Sequence, residues 1–179
     1  IGTAKPTIEE RAVCPHHLID IREIGESYSA ADFLEDTVQL VADIRARGRY
    51  PLIVGGTMLY AKALREGIND MPSTSPEVRA EVAKEAEILG WPAMHVKLAE
   101  VDPQTATRLS PNDSQRIGRA LEVFKMTGQP ISVFHAQATK APPFETLTVG
   151  LLPQDRKALH QRIETRFDLM LAEGFLDEM

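Results

Sequence analysis

The stretch Gly55-Gly56-Thr57 is the part of this sequence best suited to hold an anion. The apolar run at 52–54 before it is typical of a buried strand, and the pattern at 57–66 is typical of a helix. Glycines let another molecule approach the backbone closely, and the free N–H groups of a helix N-terminus favour negative charge. The pattern therefore predicts an anion site here. A plain turn, with Thr57 as a simple helix N-cap, is the alternative.

A second candidate is a pair of arginines one turn apart on a predicted helix. Arg116 and Arg119 lie beside Gln115 and flank the apolar stripe of that helix. Fork-shaped guanidinium donors at this spacing suit a phosphate backbone or base edges. A solvated face with local ion pairs, such as Arg119 with Glu122, is the alternative.

A third candidate is the pair Arg162 and Arg166, at positions i and i+4 of the last predicted helix. Two arginines at the end of a strand–helix unit can clamp a diphosphate. Pairing with acidic neighbours such as Glu164 is as consistent with the spacing. Arg79 is open to the same two interpretations.

The histidines offer weaker signals. His16 and His17 are adjacent, and adjacent side chains on a strand point to opposite faces, so we do not expect them to chelate a metal ion together. His135 and His160 have no partner evident in the sequence, and we expect ordinary surface or half-buried residues there.

Composition limits the class of protein. The chain has 179 residues, 43% of them hydrophobic, which is enough for a full core. The net charge of −6 argues against nucleic-acid binding through bulk charge, but it is compatible with a local basic face. Cys14 is the single cysteine, which fits a reducing compartment, and no apolar run approaches the ~20 residues that span a bilayer. These features predict a cytoplasmic protein without membrane contact.

The periodicity predicts an α/β fold with a parallel sheet. Strands are expected near 16–21, at 52–54 and at 146–152, and long amphipathic helices follow Ser29, Ser75, Asp113 and Asp155. The stretch 69–141 has a helical pattern throughout. We therefore expect an α/β core formed by 1–68 and 142–179, with 69–141 as an all-helical insertion.

Six segments in order resemble one enzyme family. They are 1–6, 15–21, 28–33, 54–60, 111–122, and 162–167 with 170–175. They run in register over essentially the whole chain, and a single one would be weak evidence. Together they resemble the bacterial tRNA dimethylallyltransferases, also called tRNA isopentenyltransferases.

The resemblance implies a P-loop-NTPase-like core, a nucleotide-binding fold, with a helical insertion that contacts the anticodon stem. It implies transfer of a dimethylallyl group from dimethylallyl diphosphate to N6 of the adenosine adjacent to the tRNA anticodon. Mg²⁺ would neutralise the diphosphate leaving group. The expected partners are tRNA and dimethylallyl diphosphate, and the expected state is a monomer.

Carried over position by position, the resemblance makes Thr57 and Arg166 catalytic residues, with Thr57 touching the target nucleotide. Diphosphate binding falls to Arg162, Arg166, Gly55 and Gly56. Contact with tRNA falls to Thr57, Arg79, Gln115, Arg116, Ile117, Gly118 and Arg119. None of these positions is expected to be a metal ligand.

The sequence also departs from the family pattern. The family's glycine-rich phosphate loop, an aspartate expected shortly before Ile1 and a C-terminal basic region have no counterpart in these residues. We therefore expect the 179-residue chain by itself to be inactive, so the activity above belongs to a longer parent protein.

Three other functions remain open. An adenylate isopentenyltransferase would modify a free nucleotide and would need no helical arm for an RNA stem. A non-catalytic RNA-binding remnant would bind tRNA in a salt-sensitive way without turnover. A nucleotide kinase of similar fold is the third, although nothing here resembles a kinase lid.

Overall fold

The computed structural model describes residues 5–73 and 75–178, so most of the first segment of the resemblance, 1–6, lies outside them. These residues form two compact units. Unit 1 comprises Ile1–Val54 with Phe144–Met179, and unit 2 comprises Gly55–Pro143. The helices are α1 (Ile8–Val13), α2 (Ala30–Ala46), α3 (Met58–Glu66), α4 (Pro76–Leu89), α5 (Trp91–Val101), α6 (Pro103–Arg108), α7 (Ser114–Thr127), α8 (Ile131–Ala136), α9 (Arg156–Ala172) and α10 (Phe175–Glu178).

The long helices begin where the sequence predicts. Ser29 and Asp32 form a capping box at α2: the Ser29 hydroxyl accepts from Asp32 N at 3.2 Å, and Asp32 Oδ2 accepts from Ser29 N at 2.8 Å. The side chains of Ser75, Asp113 and Asp155 likewise each accept a hydrogen bond from a backbone N–H in the first turn of α4, α7 and α9. Each cap satisfies backbone N–H groups that a helix leaves without an internal acceptor, so the start of each helix is encoded locally.

Unit 2 is organised around α7, which is buried on most of its circumference. It packs against α4, α5 and α8, and α6 packs against α5 and α8. The shared core is aliphatic, with Trp91 and Phe134 at its edge. Its fully buried side chains include Val82, Met94, Leu98, Ile117 and Val123.

A buried carboxylate ties three elements of unit 2 together. Asp102, between α5 and α6, accepts hydrogen bonds from Thr105 N at 3.0 Å, from the Thr105 hydroxyl at 2.8 Å and from Ser132 N of α8 at 2.9 Å. Burial by itself raises the pKa of Asp102, but these hydrogen bonds outweigh that effect, and the pKa lies below its ordinary value. The ionised carboxylate is therefore the form that stabilises the fold.

We expect Asp102→Asn to lower the free energy of unfolding at pH 7 by about 1–3 kcal/mol, because the amide offers one acceptor oxygen and an NH₂ group that faces N–H donors. A carboxyl whose pKa is lower in the folded state contributes stability above its unfolded pKa, and that stability is lost as the pH falls through the folded value. The difference in free energy of unfolding between the unaltered protein and Asp102→Asn should therefore decrease below about pH 4. Urea denaturation at several pH values measures this difference, and Asp70→Asn, at an exposed position, is the control. A difference that stays constant at acidic pH would contradict this account.

Unit 1 has a smaller buried region. Helix α2 buries Phe33, Leu34, Thr37 and Val41, and Arg45 lies over the ring of Phe144 at 5.8 Å. Helix α9 buries none of its described side chains. The apolar stripe expected to be buried on α9 is therefore only partly covered: Ile163 and Phe167 are exposed, and Leu159 and Met170 are half-buried.

The predicted α/β fold with a parallel, P-loop-NTPase-like sheet core is wrong for this structure. Among residues 5–73 and 75–178, the β pairing consists of one isolated antiparallel bridge between Ile68 and Lys140. Residues 52–54 and 146–152 form no strand, and their apolar side chains, including Leu52, Val54 and Leu147, are exposed. A strand is stabilised by hydrogen bonds to a neighbouring strand, and neither segment has such a partner among the described residues.

The strand expected near 16–21 is also absent. That segment is a loop in which Leu18 and Asp20 have positive φ angles of 59° and 57°, which a regular strand does not allow. Lys5 and Arg11 both pair with the carboxylate of Asp20 and hold the loop in place.

The expected boundaries at 68/69 and 141/142 stay predictions, whereas the compact units divide at 54/55 and 143/144. Helix α3 thus belongs to unit 2. The segment that follows α8 is hydrogen-bonded to the segment that follows α3: Lys140 N donates to Ile68 O at 3.2 Å, and Asn69 Nδ2 donates to Gln137 O at 2.7 Å. In the described ranges every helix is too short or too polar to cross a bilayer.

Candidate nucleic-acid interface

The first turn of α7 carries the most exposed of the predicted RNA-binding arginines. Asp113 accepts from Arg116 N at 3.2 Å through Oδ1, and from Arg116 Nη1 at 2.5 Å through Oδ2. The Arg116 side chain is nevertheless 72% exposed, and Gln115 beside it is exposed as well. Arg116 is thus oriented by its own helix cap while most of its donors still face solvent.

Arg119 and Arg79 meet at one carboxylate. Arg119 Nη1 lies 3.9 Å from Glu122 Oε2, and Arg79 Nε on α4 lies 3.8 Å from Glu122 Oε1. The ion pair between Arg119 and Glu122 that the sequence offered as an alternative is therefore present. The two guanidinium groups still differ in access, because the Arg79 side chain is 65% exposed and that of Arg119 is 35% exposed.

Arg79, Arg116 and Arg119 together form a cationic patch on α4 and α7, which we call the arginine patch. It faces two carboxylates, Asp113 and Glu122, so its local charge is modestly positive although the chain carries a net charge of −6. A patch of this kind suits a few phosphate contacts with defined geometry rather than bulk attraction to any polyanion.

Ile117 and Gly118, also predicted to contact tRNA, lie in the core of unit 2. Ile117 is 0% exposed, and a Cβ added at Gly118 would meet Trp91 Cη2 at 3.5 Å. Direct contact with RNA through either position would require this core to open. Their structural role is to anchor α7, and thereby to place the neighbouring arginines.

Substitutions at Gly118 test that role. We expect Gly118→Ala to stabilise the protein by up to about 1 kcal/mol, because 3.5 Å is an ordinary contact and alanine favours the helix. We expect Gly118→Leu to destabilise it by about 1–3 kcal/mol and to shift the fluorescence of Trp91, the single tryptophan, because the longer side chain displaces the indole. Denaturation followed by fluorescence measures both effects. Weaker RNA binding by Gly118→Ala at unchanged stability would instead favour direct contact.

Thr57 is exposed at the N-terminus of α3, and its side chain makes no helix-capping hydrogen bond. Thr57 thus occupies the N-cap position of the alternative interpretation, but its side chain does not cap the helix. Gly55 and Gly56 are exposed too, with nothing within 4 Å of a Cβ added at either position. The hydroxyl and both glycines are accessible, as contact with a ligand requires.

Arg162 and Arg166 lie one turn apart on α9 in unit 1, and both side chains are exposed. Neither forms an ion pair with an acidic residue in the part of the chain that the structure describes. The alternative of pairing with Glu164 is thus not what this structure contains. A shared catalytic role of Arg166 and Thr57, which the resemblance implies, stays a prediction, since these residues belong to different units.

Glu122 is the functional candidate that sequence reasoning missed. The i, i+3 spacing from Arg119 pointed to a local pair, but nothing in the sequence linked Glu122 to Arg79 on another helix. No three acidic, histidine or cysteine side chains in 5–73 and 75–178 come together as a metal site.

Comparison with known proteins gives consistent results. The profile of a family described as IPP transferase matches residues 1–179. Proteins named tRNA dimethylallyltransferase from Paraburkholderia xenovorans and Chromobacterium violaceum are 58% and 57% identical to the chain, over its whole length. The chain covers 58% and 55% of these two relatives, so it spans a little over half of their length.

Two solved structures are also similar. The tRNA isopentenylpyrophosphate transferase of Bacillus halodurans is 38% identical, with a TM-score of 0.56, over 99% of this chain and 54% of its own. A eukaryotic dimethylallyltransferase acting on tRNA is 28% identical, with a TM-score of 0.78, over 98% of this chain and 44% of its own. The likeness therefore extends over nearly all of the present chain in each case.

Proposed function

The chain belongs to the IPP transferase family, and from this we propose that the protein transfers a dimethylallyl group from dimethylallyl diphosphate to N6 of the adenosine adjacent to the anticodon of tRNA. The observation that carries the proposal is the family match over residues 1–179. Relatives more than half identical and named tRNA dimethylallyltransferase support it.

The proposed reaction is a direct displacement. The adenosine N6 forms a bond to C1 of the dimethylallyl group while the bond from C1 to the diphosphate oxygen breaks. The diphosphate leaves with the electron pair, and N6 gives up one proton to a base. Negative charge develops on the leaving oxygen, so fixed cations near it lower the barrier.

Exposed residues of the two units suit different parts of this reaction. We assign the arginine patch of unit 2, with Gln115 beside it, to phosphates of the anticodon stem. We assign Arg162 and Arg166 of unit 1 to the diphosphate, with Arg166 next to the leaving oxygen. Thr57 and the glycines before it are assigned to the target nucleotide and the diphosphate. What supports these assignments is that all these side chains, and the backbone at Gly55 and Gly56, are at least partly accessible.

Three further features belong to the proposal. We propose Mg²⁺ as the cofactor, because a divalent cation would neutralise the negative charge of the diphosphate leaving group. A substrate such as tRNA places the reaction in the cytoplasm. A single chain presents both the arginine patch and the α9 arginines, so we propose that the protein works as a monomer.

The test uses the protein translated from the complete reading frame, with radiolabelled dimethylallyl diphosphate. We expect label to enter an anticodon stem-loop RNA with adenosine 3′ to the anticodon, and not one with guanosine there. Transfer to free AMP with none to the stem-loop would favour an adenylate isopentenyltransferase. Salt-sensitive binding without any transfer would favour an RNA-binding remnant.

A further inference from the structure

Glu122 is an almost buried carboxylate shared by two arginines from different helices. It is 7% exposed, and its two oxygens lie 3.8 Å from Arg79 Nε and 3.9 Å from Arg119 Nη1. Burying a carboxylate is unfavourable unless cations or donors compensate it, so the folded state favours arginine conformations close to Glu122. The carboxylate thereby restricts both guanidinium groups before any ligand arrives.

Arg119 has a second anchor on another segment. Its Nη2 donates to the carbonyl oxygen of Pro72 at 2.8 Å, in the connection between α3 and α4. A guanidinium has five N–H groups, and the contacts to Glu122 and Pro72 involve only Nη1 and Nη2. The remaining donors keep a fixed direction, which suits a phosphate at a defined position.

We propose that Glu122 is a positioning residue for RNA binding: it presets Arg79 and Arg119 as a pair of phosphate-binding groups. This inference rests on the proposed function of the arginine patch. Affinity is weaker when two long side chains lose conformational freedom on binding. Glu122 reduces this entropy loss, because it orders both arginines before the RNA binds. Its negative charge also reduces attraction to RNA of the wrong shape, so Glu122 favours specific over non-specific binding.

The test compares two RNAs and two variants of the full chain. For Glu122→Gln we expect about tenfold weaker binding of an anticodon stem-loop, because both arginines must then be ordered during binding. Binding of single-stranded oligouridylate should be unchanged or tighter, because that flexible RNA adapts to mobile arginines and one negative charge is gone. Glu85→Gln is the matched control, since the Glu85 carboxylate is likewise shared by two cations, Lys97 and Lys125.

Two results would overturn the positioning role. One is unchanged stem-loop binding by Glu122→Gln, and the other is an equal loss with Glu85→Gln, which would indicate a general effect of charge or stability. Arg79→Gln combined with Glu122→Gln gives a further readout. We expect the combined loss to be smaller than the product of the two single losses, and full additivity would contradict action through Arg79.

A measurement on the unaltered chain does not depend on how the variants fold. NMR of the arginine Nε–H groups without RNA should show slower side-chain motion for Arg79 and Arg119 than for the exposed Arg162. Equal mobility would overturn the proposal.

Arg116→Glu distinguishes failure of the positioning role of Glu122 from failure of the RNA-binding role of the arginine patch, because Arg116 pairs with Asp113 and has no ion pair with Glu122 in the structure. If it weakens stem-loop binding and Glu122→Gln does not, positioning alone fails; if neither does, the RNA-binding role of the patch fails as well.

Discussion

Replacing both Arg116 and Arg119 by glutamate is expected to weaken binding of an anticodon stem-loop about a hundredfold, while binding of dimethylallyl diphosphate stays nearly unchanged. Each arginine contributes a charge-assisted contact to a phosphate, and losing one costs about 1.5 kcal/mol, close to tenfold in affinity. The dependence of log K on log salt should become shallower by about 2, one for each lost phosphate contact. Titrations at several salt concentrations measure both quantities.

The control for this experiment must change the net charge equally. The double reversal shifts the net charge from −6 to −10, since 2 × 2 = 4 charges are altered. Lys84→Glu with Lys140→Glu makes the same change at two exposed lysines of unit 2. Equal weakening by both double variants would show that bulk charge, not the arginine patch, binds RNA. Equal loss of RNA and dimethylallyl diphosphate would also contradict the assignment.

Folding of the double variant needs its own check. A glutamate at position 116 sits in the first turn of α7, where the helix dipole favours negative charge. A glutamate at position 119 would face the nearly buried Glu122, and that repulsion destabilises unit 2. Thermal melting identifies such a loss, and Arg119→Gln in its place removes the cation without adding an opposing charge.

Arg166→Ala is expected to slow prenyl transfer about a hundredfold in the protein from the complete reading frame, with little change in tRNA affinity. The reason is that the proposed role of Arg166 is to neutralise the departing diphosphate, and one such donor contributes about 10²–10³ in kcat. Single-turnover kinetics with saturating stem-loop RNA isolates this step.

Lys157→Ala is the matched control for Arg166, because it removes a cation from the first turn of the same helix. The rate of prenyl transfer by Arg162→Ala should lie between the rates of Lys157→Ala and Arg166→Ala if Arg162 is the second diphosphate ligand. Transfer at the normal rate by Arg166→Ala would remove this residue from the site. A parallel loss of tRNA affinity would place it in the RNA interface instead.

Helices were the part of the fold that could be predicted. The caps at Ser29, Ser75, Asp113 and Asp155 act on backbone groups two or three residues away, so the information needed is contiguous in the chain. The amphipathic pattern of 114–127 likewise identified α7, although its burial on most sides emerged only from packing.

Strands could not be predicted in the same way. The apolar runs at 52–54 and 146–152 have the local preference for a strand, but a sheet needs partners from elsewhere in the chain, and the described residues provide none. The conformation of the Thr57 side chain was not predictable either, because the type and position of this residue suggested a capping hydrogen bond that its side chain does not form.

The sequence by itself determined where the helices start, which side chains carry positive charge, and, through six segments in register, the family. Tertiary structure alone decided which of these charges meet. Arg119 reaches a carbonyl 47 positions away, and Arg79 reaches the carboxylate of Glu122 on another helix. Helix caps depend on neighbours in the chain, whereas an ion pair between helices depends on how a whole core packs, and no short stretch of sequence contains that information.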